Sequence, residues 1–207
     1  MERNEVWRDG FLFVGNQVAL DFVNTRPMID GGYSELLPDV DALLRWFVAA
    51  ELIDVKTMAG LRRKWRDDRR AAKVLDSLRE FRERLREDLI AWEEGQEIRR
   101  TTVSNIDDLL ARYPMRRRLI AKNRRISAEA WFPVENPDDL YAPLANAAAQ
   151  LFTEVDRTRV RKCSNCILHF VDSSKKGNRQ WCSMQLCGNR AKVAAYTERQ
   201  RSKSKRN

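Results

Sequence analysis

The stretch Cys163-Ser-Asn-Cys166-Ile-Leu-His-Phe-Val-Asp-Ser-Ser-Lys-Lys-Gly-Asn-Arg-Gln-Trp-Cys182-Ser-Met-Gln-Leu-Cys187 holds all four cysteines of the chain. Two short-spaced pairs, fifteen residues apart, are the spacing of a structural zinc site. A short spacer lets one turn of backbone aim two thiolates at one point. Two such turns close a tetrahedral shell with no position left for water or substrate. The expected cofactor is therefore Zn²⁺, held by Cys163, Cys166, Cys182 and Cys187.

Four cysteines have three other chemical uses. Disulfides need an oxidising compartment, yet the start Met-Glu-Arg-Asn-Glu carries no apolar signal segment. A redox pair is usually a single Cys-x-x-Cys beside a strand–helix unit. An iron–sulfur cluster also takes four thiolates, and spacing leaves it open. His169 is the single histidine and reads as a partly exposed strand residue rather than a ligand.

Outward from the cysteines, residues 167–171 read as a strand and residues 172–178 as a turn. Residues 179–181 then return as a second strand, and Cys182 and Cys187 open a final helix. Knuckle, hairpin and helix in that order match a treble-clef arrangement. A helix N-terminus suits thiolates because its free N–H groups favour negative charge. Phe170 and Trp181 are expected to cover the site. On the helix, Lys192, Arg199, Lys203 and Arg206 share one side with Tyr196, while Leu186, Val193 and Ala194 point elsewhere and are expected to pack on the hairpin. Arg190, Asn189 and Gln200 have the donors that reading base edges requires.

Charge follows the same division. Residues 157–207 hold 14 Lys/Arg and two Asp/Glu, whereas the preceding 156 residues hold 25 against 28. The net charge of +9 thus belongs to the cysteine module and its tail. That asymmetry points to a polyanion, nucleic acid being the commonest. A boundary near residue 157 is expected, with domains 1–156 and 157–207.

The first 156 residues read as mainly helical. Val74, Leu78, Phe81, Leu85, Leu89 and Trp92 form one stripe of a long helix over 69–94, ended by Gly95; its Arg- and Glu-rich remainder reads as a solvated face. Helices are also expected after Asp39 or Asp41, over 56–65, from the capping pattern Ser104-Asn-Ile-Asp107, and from Asn136-Pro137 onward. Residues 119–126 and 130–134 read as a hairpin; Arg116, Arg117 and Arg118 read as an exposed turn in a region that is not net basic, with a phosphate contact as the alternative. Residues 11–14 read as a strand, 18–24 as either a strand or a short buried helix, and 26–38 as a loop. Asp21, Asn24 and Thr25 are polar groups in apolar company; they either cap local backbone or line a ligand pocket. The fold class expected is α+β: a mainly helical N-terminal domain with a small antiparallel sheet, plus a C-terminal treble-clef-like zinc finger. No apolar run reaches the length of a membrane span.

Trp181-Cys182-Ser-Met-Gln-Leu-Cys187-Gly188-Asn189-Arg190, with Cys163-x-x-Cys166 and Phe170-Val-Asp172, resembles the CGNR zinc finger. Phe13-Val-Gly15 and Leu20-Asp-Phe-Val-Asn-Thr25 are similar to the start of the ABATE domain that accompanies that finger. The resemblance implies a bacterial transcription regulator with a ligand-sensing N-terminal domain and a DNA-binding finger. It also implies the four cysteines as zinc ligands, Gly188 and Asn189 as shapers of the helix start, and Arg190 as a DNA contact or a brace. A cytoplasmic, nucleoid-associated location, a small-molecule effector and a homodimer accord with that role. Binding to RNA or the ribosome is the alternative, and a zinc-stabilised protein adaptor a third. Enzymatic activity fits least: no nucleophile–histidine pair, phosphate-binding glycine loop or open metal position is legible.

Overall fold

The computed structural model describes residues 6–29 and 32–204. Strands β1 (Trp7–Arg8) and β2 (Phe11–Leu12) form a hairpin turned by Asp9 and Gly10, both at positive φ. The extended chain continues past β2, and its side chains alternate with period two. Phe11 and Phe13 join the main helical core, whereas Leu12 and Val14 enter a second cluster with Cys163, Leu168, Phe170, Cys182 and Cys187. Four N-terminal residues therefore wedge between the two cores.

The undecided segment after Gly15 is helix α1 (Val18–Val23). The Gln17 side chain caps it, accepting from the Ala19 and Leu20 N–H groups. Burial on every side explains why no periodicity was legible in its sequence. The expected loop over 26–38 contains a small hairpin, β3 (Met28–Ile29) and β4 (Gly32–Tyr33). Asp39 caps α2 (Val40–Ala49), and Asp54 caps α3 (Val55–Lys64).

The long helix α4 (Arg69–Glu93) buries Val74, Leu78, Phe81, Leu85 and Leu89 as its stripe predicts. Each such side chain contributes roughly 1.5–3 kcal/mol on leaving water. The reading of its other side as wholly solvated needs correction, because Arg82 and Asp88 are buried too. The Arg82 guanidinium donates to both Glu35 oxygens and to Thr25 Oγ1, and Asp88 accepts from Arg99.

Helix α5 (Arg100–Arg112) begins a turn earlier than the Ser104 box predicts. Arg99 anchors the start through Asp88, and Thr102 and Ile106, one turn apart, supply the buried face. The next hairpin also differs in register. Strands β5 (Arg116–Lys122) and β6 (Arg125–Trp131) meet at Asn123-Arg124, not beyond Ile126, so Arg116, Arg117 and Arg118 lie in a strand rather than a turn. A short 3₁₀ turn with a capping box, Pro137–Leu140, leads into α6 (Tyr141–Glu154), whose alanines pack against α1 and α5.

In the cysteine module β7 (Val160–Lys162) pairs with β8 (His169–Val171), and the Cys163–Cys166 knuckle is the tip of that hairpin. The expected second strand at 179–181 is irregular instead. A single π turn, Met184–Gly188, runs into α7 (Asn189–Ser204). The expected packing of Val193 and Ala194 does not occur: both are exposed, as is the rest of α7 from Lys192 to Arg201. The fold is α+β as expected, mainly helical with small antiparallel two-stranded sheets. Among the described residues no helix is long and apolar enough to cross a membrane.

Candidate metal centre and its seat on the helices

The four cysteine Sγ atoms lie within 4.8 Å of one another. Cys163, Cys182 and Cys187 are buried and Cys166 half-buried; none is in a disulfide. The knuckle is fixed by Cys163 N–H on Leu168 O (2.9 Å) and Ser164 N–H on Gln180 O (2.9 Å). The second pair is set by Ser183, whose Oγ accepts from Leu186 N–H (2.9 Å) while its carbonyl accepts from Cys187 and Gly188. That cap turns the Cys187 sulfur back toward the knuckle. Gly188 packs closely here: a Cβ would stand 2.5 Å from Met184 Sδ and 2.8 Å from Trp181 Cδ1, so both side chains would have to shift.

Cys166 and Cys182 Sγ are 3.7 Å apart. A tetrahedral ion with metal–sulfur bonds of about 2.3 Å needs sulfur–sulfur edges of about 3.8 Å, so the donor set fits such a metal. Proton sharing shows the same crowding. Hydrogen bonds from Cys166 and Cys182 hold Cys163 well below the ordinary thiol range, while donating to Cys163 pushes Cys166 up to about 12 and Cys182 further up. A dication would take the place of those shared protons.

Around the sulfurs stand cations and a buried carboxylate. Arg190 donates to Leu186 O (2.5 Å) and reaches Cys187 Sγ (3.9 Å), contacts of the bracing kind, while its side chain stays exposed. Arg179 donates to the Trp181 and Cys182 carbonyls and lies over the Phe170 ring, 4.3 Å from its centroid. Asp172 organises the connecting loop, accepting from Ser174 N–H (2.9 Å) and Arg179 N–H (2.8 Å), with Arg161 3.6 Å away. Burial alone would raise its pKa, but those donors outweigh it and pull the carboxyl down to about 2.

The outer edge of β8 would be an unpaired row of backbone groups; residues far away in sequence occupy it. The Asn24 side chain donates to His169 O (2.8 Å) and accepts from His169 N–H (2.9 Å). Val171 N–H donates to Gly15 O (2.8 Å), and Asn16 Nδ2 donates to Val171 O (2.9 Å). His169 is buried, not partly exposed, with Nδ1 2.8 Å from Glu93 at the end of α4. Gly15 has no room for a side chain, since a Cβ would stand 2.9 Å from the Asp21 backbone nitrogen.

This seat decides the reading of the three polar N-terminal candidates. Asn24 clamps β8. Thr25 donates to Phe22 O (2.7 Å) and accepts from Arg82. Asn24 thus finds its partners far along the chain, and Thr25 finds one nearby and one on α4. Asp21 accepts from Gly15 N–H (2.7 Å) and borders a cavity of about 200 Å³ with Arg8, Gln17 and Glu51. Burial raises its pKa to about 7, against the pull of Gly15 N–H and Arg8. Sequence reading missed the roles of Arg82, Asp88, Glu93 and Arg179. Arg82 and Asp88 were legible, being in step with the apolar stripe at Leu78, Leu85 and Phe81; nothing local signals Glu93 or Arg179.

Of the nucleic-acid candidates, Arg190, Lys192 and Arg199 are exposed on α7, as is Tyr196. Arg206 and the Lys203 side chain lie outside the described residues.

Two family models match the chain. Residues 16–155 match ABATE, described as "Putative stress-induced transcription regulator", and residues 159–200 match the CGNR zinc finger. The chain belongs to the ABATE family. No match to it is found among curated proteins. In this ABATE protein, Gly15 and Asn24, which lie in the segments resembling the domain's start, supply edge contacts to the finger together with Asn16.

Proposed function

We propose that this ABATE protein is a DNA-binding regulator in which Zn²⁺, held by Cys163, Cys166, Cys182 and Cys187, fixes the start of α7 so that its cations lie along duplex phosphate. The observation that carries the reading is the exposed helix itself. Lys192, Arg199 and Arg201 stand in solvent on a helix whose main packing, among the described residues, is at its sulfur-bearing end, and such a helix is suited to a groove or phosphate ridge. Arg190 serves the metal rather than a base edge. The role is non-catalytic, with the single histidine engaged by Glu93.

The N-terminal domain, 1–156, is read as the sensor and 157–207 as the finger. Support for an effector comes from a cleft of about 560 Å³ among α2, α3 and α4, lined by Leu44, Trp65 and Leu75 with Arg62, Arg66 and Asp76 at its polar side. Its size and mixed lining suit a small molecule. The Asn24–β8 seat joins sensor and finger directly.

Binding of the full chain to random-sequence duplex DNA, followed by fluorescence anisotropy over a salt series, tests this. A steep loss of affinity with salt, reduced in Lys192→Ala/Arg199→Ala, is expected; unchanged binding in that variant would sink the reading of α7. The full chain is needed, because Leu12 and Val14 are part of the finger's core.

A further inference from the structure

We propose that the β5–β6 hairpin is a second DNA-contacting element, a cationic ribbon acting alongside α7. Residues 116–131 carry six Lys/Arg against one Asp/Glu, within a domain that is otherwise net acidic. Ile120 and Trp131 are half-buried, and the ribbon's other described side chains are exposed. A lone two-stranded hairpin is at best marginal in water, so one held out from the core points to a partner.

Its faces differ. The register places Arg117, Leu119 and Ala121 opposite Ala130, Ala128 and Ile126, an apolar face with Leu119 76% and Ile126 75% exposed. On the other face Arg118 is spent on Glu129 (3.3 Å) and Arg116 on the Trp131 ring. The side chains of Arg117, Arg124 and Arg125 are exposed and make no ion pair or hydrogen bond among the described residues. The tip carries a second sign. Asn123 (φ 50°) and Arg124 (φ 61°) both occupy the left-handed region. That turn favours Asn-Gly, so an arginine stands in the strained position where glycine would be at ease.

Charge chooses the partner. A DNA groove admits a two-stranded ribbon, its phosphates match cations at the base and tip, and apolar side chains can press on sugars and bases. A second copy would bring two like-charged ribbons together. Leu119, Ile126 and three alanines also offer less than the roughly 800 Å² per partner that a stable interface takes.

The proposal rests on duplex binding by this protein, and the test separates the two elements. Full-length chain, Arg117→Ala/Arg124→Gly/Arg125→Ala and Lys192→Ala/Arg199→Ala are titrated with a random-sequence DNA duplex across a salt series. The ribbon variant is expected to bind roughly 10- to 100-fold more weakly, its log–log salt slope flatter by about 2–3. Weakening in the α7 variant alone overturns the ribbon and leaves α7 standing; weakening in the ribbon variant alone does the reverse; no binding by the parent overturns both. Arg124→Gly by itself keeps misfolding out of the result, since relieving the turn should hold or raise the Tm while affinity falls. Unchanged affinity there, or sedimentation showing that Leu119→Ser/Ile126→Ser splits a dimer without affecting DNA binding, overturns the proposal in favour of a self-association surface.

Discussion

The two hydrophobic cores of this molecule are built on different terms. The helical core gathers Phe11, Phe22, Trp46, Phe47, Trp65, Phe81 and many aliphatic residues from six helices. The finger core has Leu12, Val14, Leu168 and Phe170 around the cysteines. The first buries enough apolar surface to hold itself. The second is too small for that, so it leans on a metal and on its seat against α1 and the end of α4. Stability by burial tolerates local damage; stability by one ion and a few hydrogen bonds does not.

The largest effect should come from the metal. Cys182→Ser, or a strong chelator, should abolish ordered packing of the finger, since structural zinc supplies about 10–16 kcal/mol in small modules. Hydrogen exchange should then rise across 160–190 while α2 and α4 keep their protection. Simultaneous loss of both regions would show one cooperative unit and break the contrast. Metal analysis of the purified chain should give one zinc per protein.

Next in size is the helical core. Phe81→Ala should cost about 3–5 kcal/mol in denaturant melts and leave metal content unchanged. Asn24→Ala removes both partners of buried His169 backbone groups, and should cost about 1–3 kcal/mol. Its mark is faster exchange at residues 169–171 with zinc retained; metal loss instead would mean the seat and the ion are a single device.

A further effect is a pH dependence. Asp21 titrates near 7 when folded and near 4 when unfolded. Between those values the folded state binds the extra proton, so this group's contribution is favourable at low pH and lost as pH rises toward 7. Asp21→Asn, whose Oδ1 can still accept from Gly15, should be more stable than the parent at pH 8 and show a smaller decline from pH 5 to 8. Comparing the two proteins cancels the protonation of the cysteines, which acts in both.

Much of this was legible from local pattern. The cysteine spacing placed the sulfurs, the α4 stripe named the buried face, and the charge division pointed to a polyanion. Misreadings arose where a stronger partner lay elsewhere. Ser104 looked like a cap, but Arg99 found Asp88 across the turn and α5 started earlier. Residues 179–181 looked like a strand, yet β8 pairs with β7 on one edge and with Asn24, Gly15 and Asn16 on the other, leaving no edge free.

By itself the amino-acid order determined what is set by neighbours a few positions apart: which thiols converge, which helix faces are apolar, where charge accumulates. Tertiary structure alone decided that Asn24 clasps His169, 145 residues away, and that Leu12 and Val14 complete the finger's core. Spacing encodes the reach of a turn or a helix, but the partner of a buried polar group is chosen only when distant surfaces meet and water is gone.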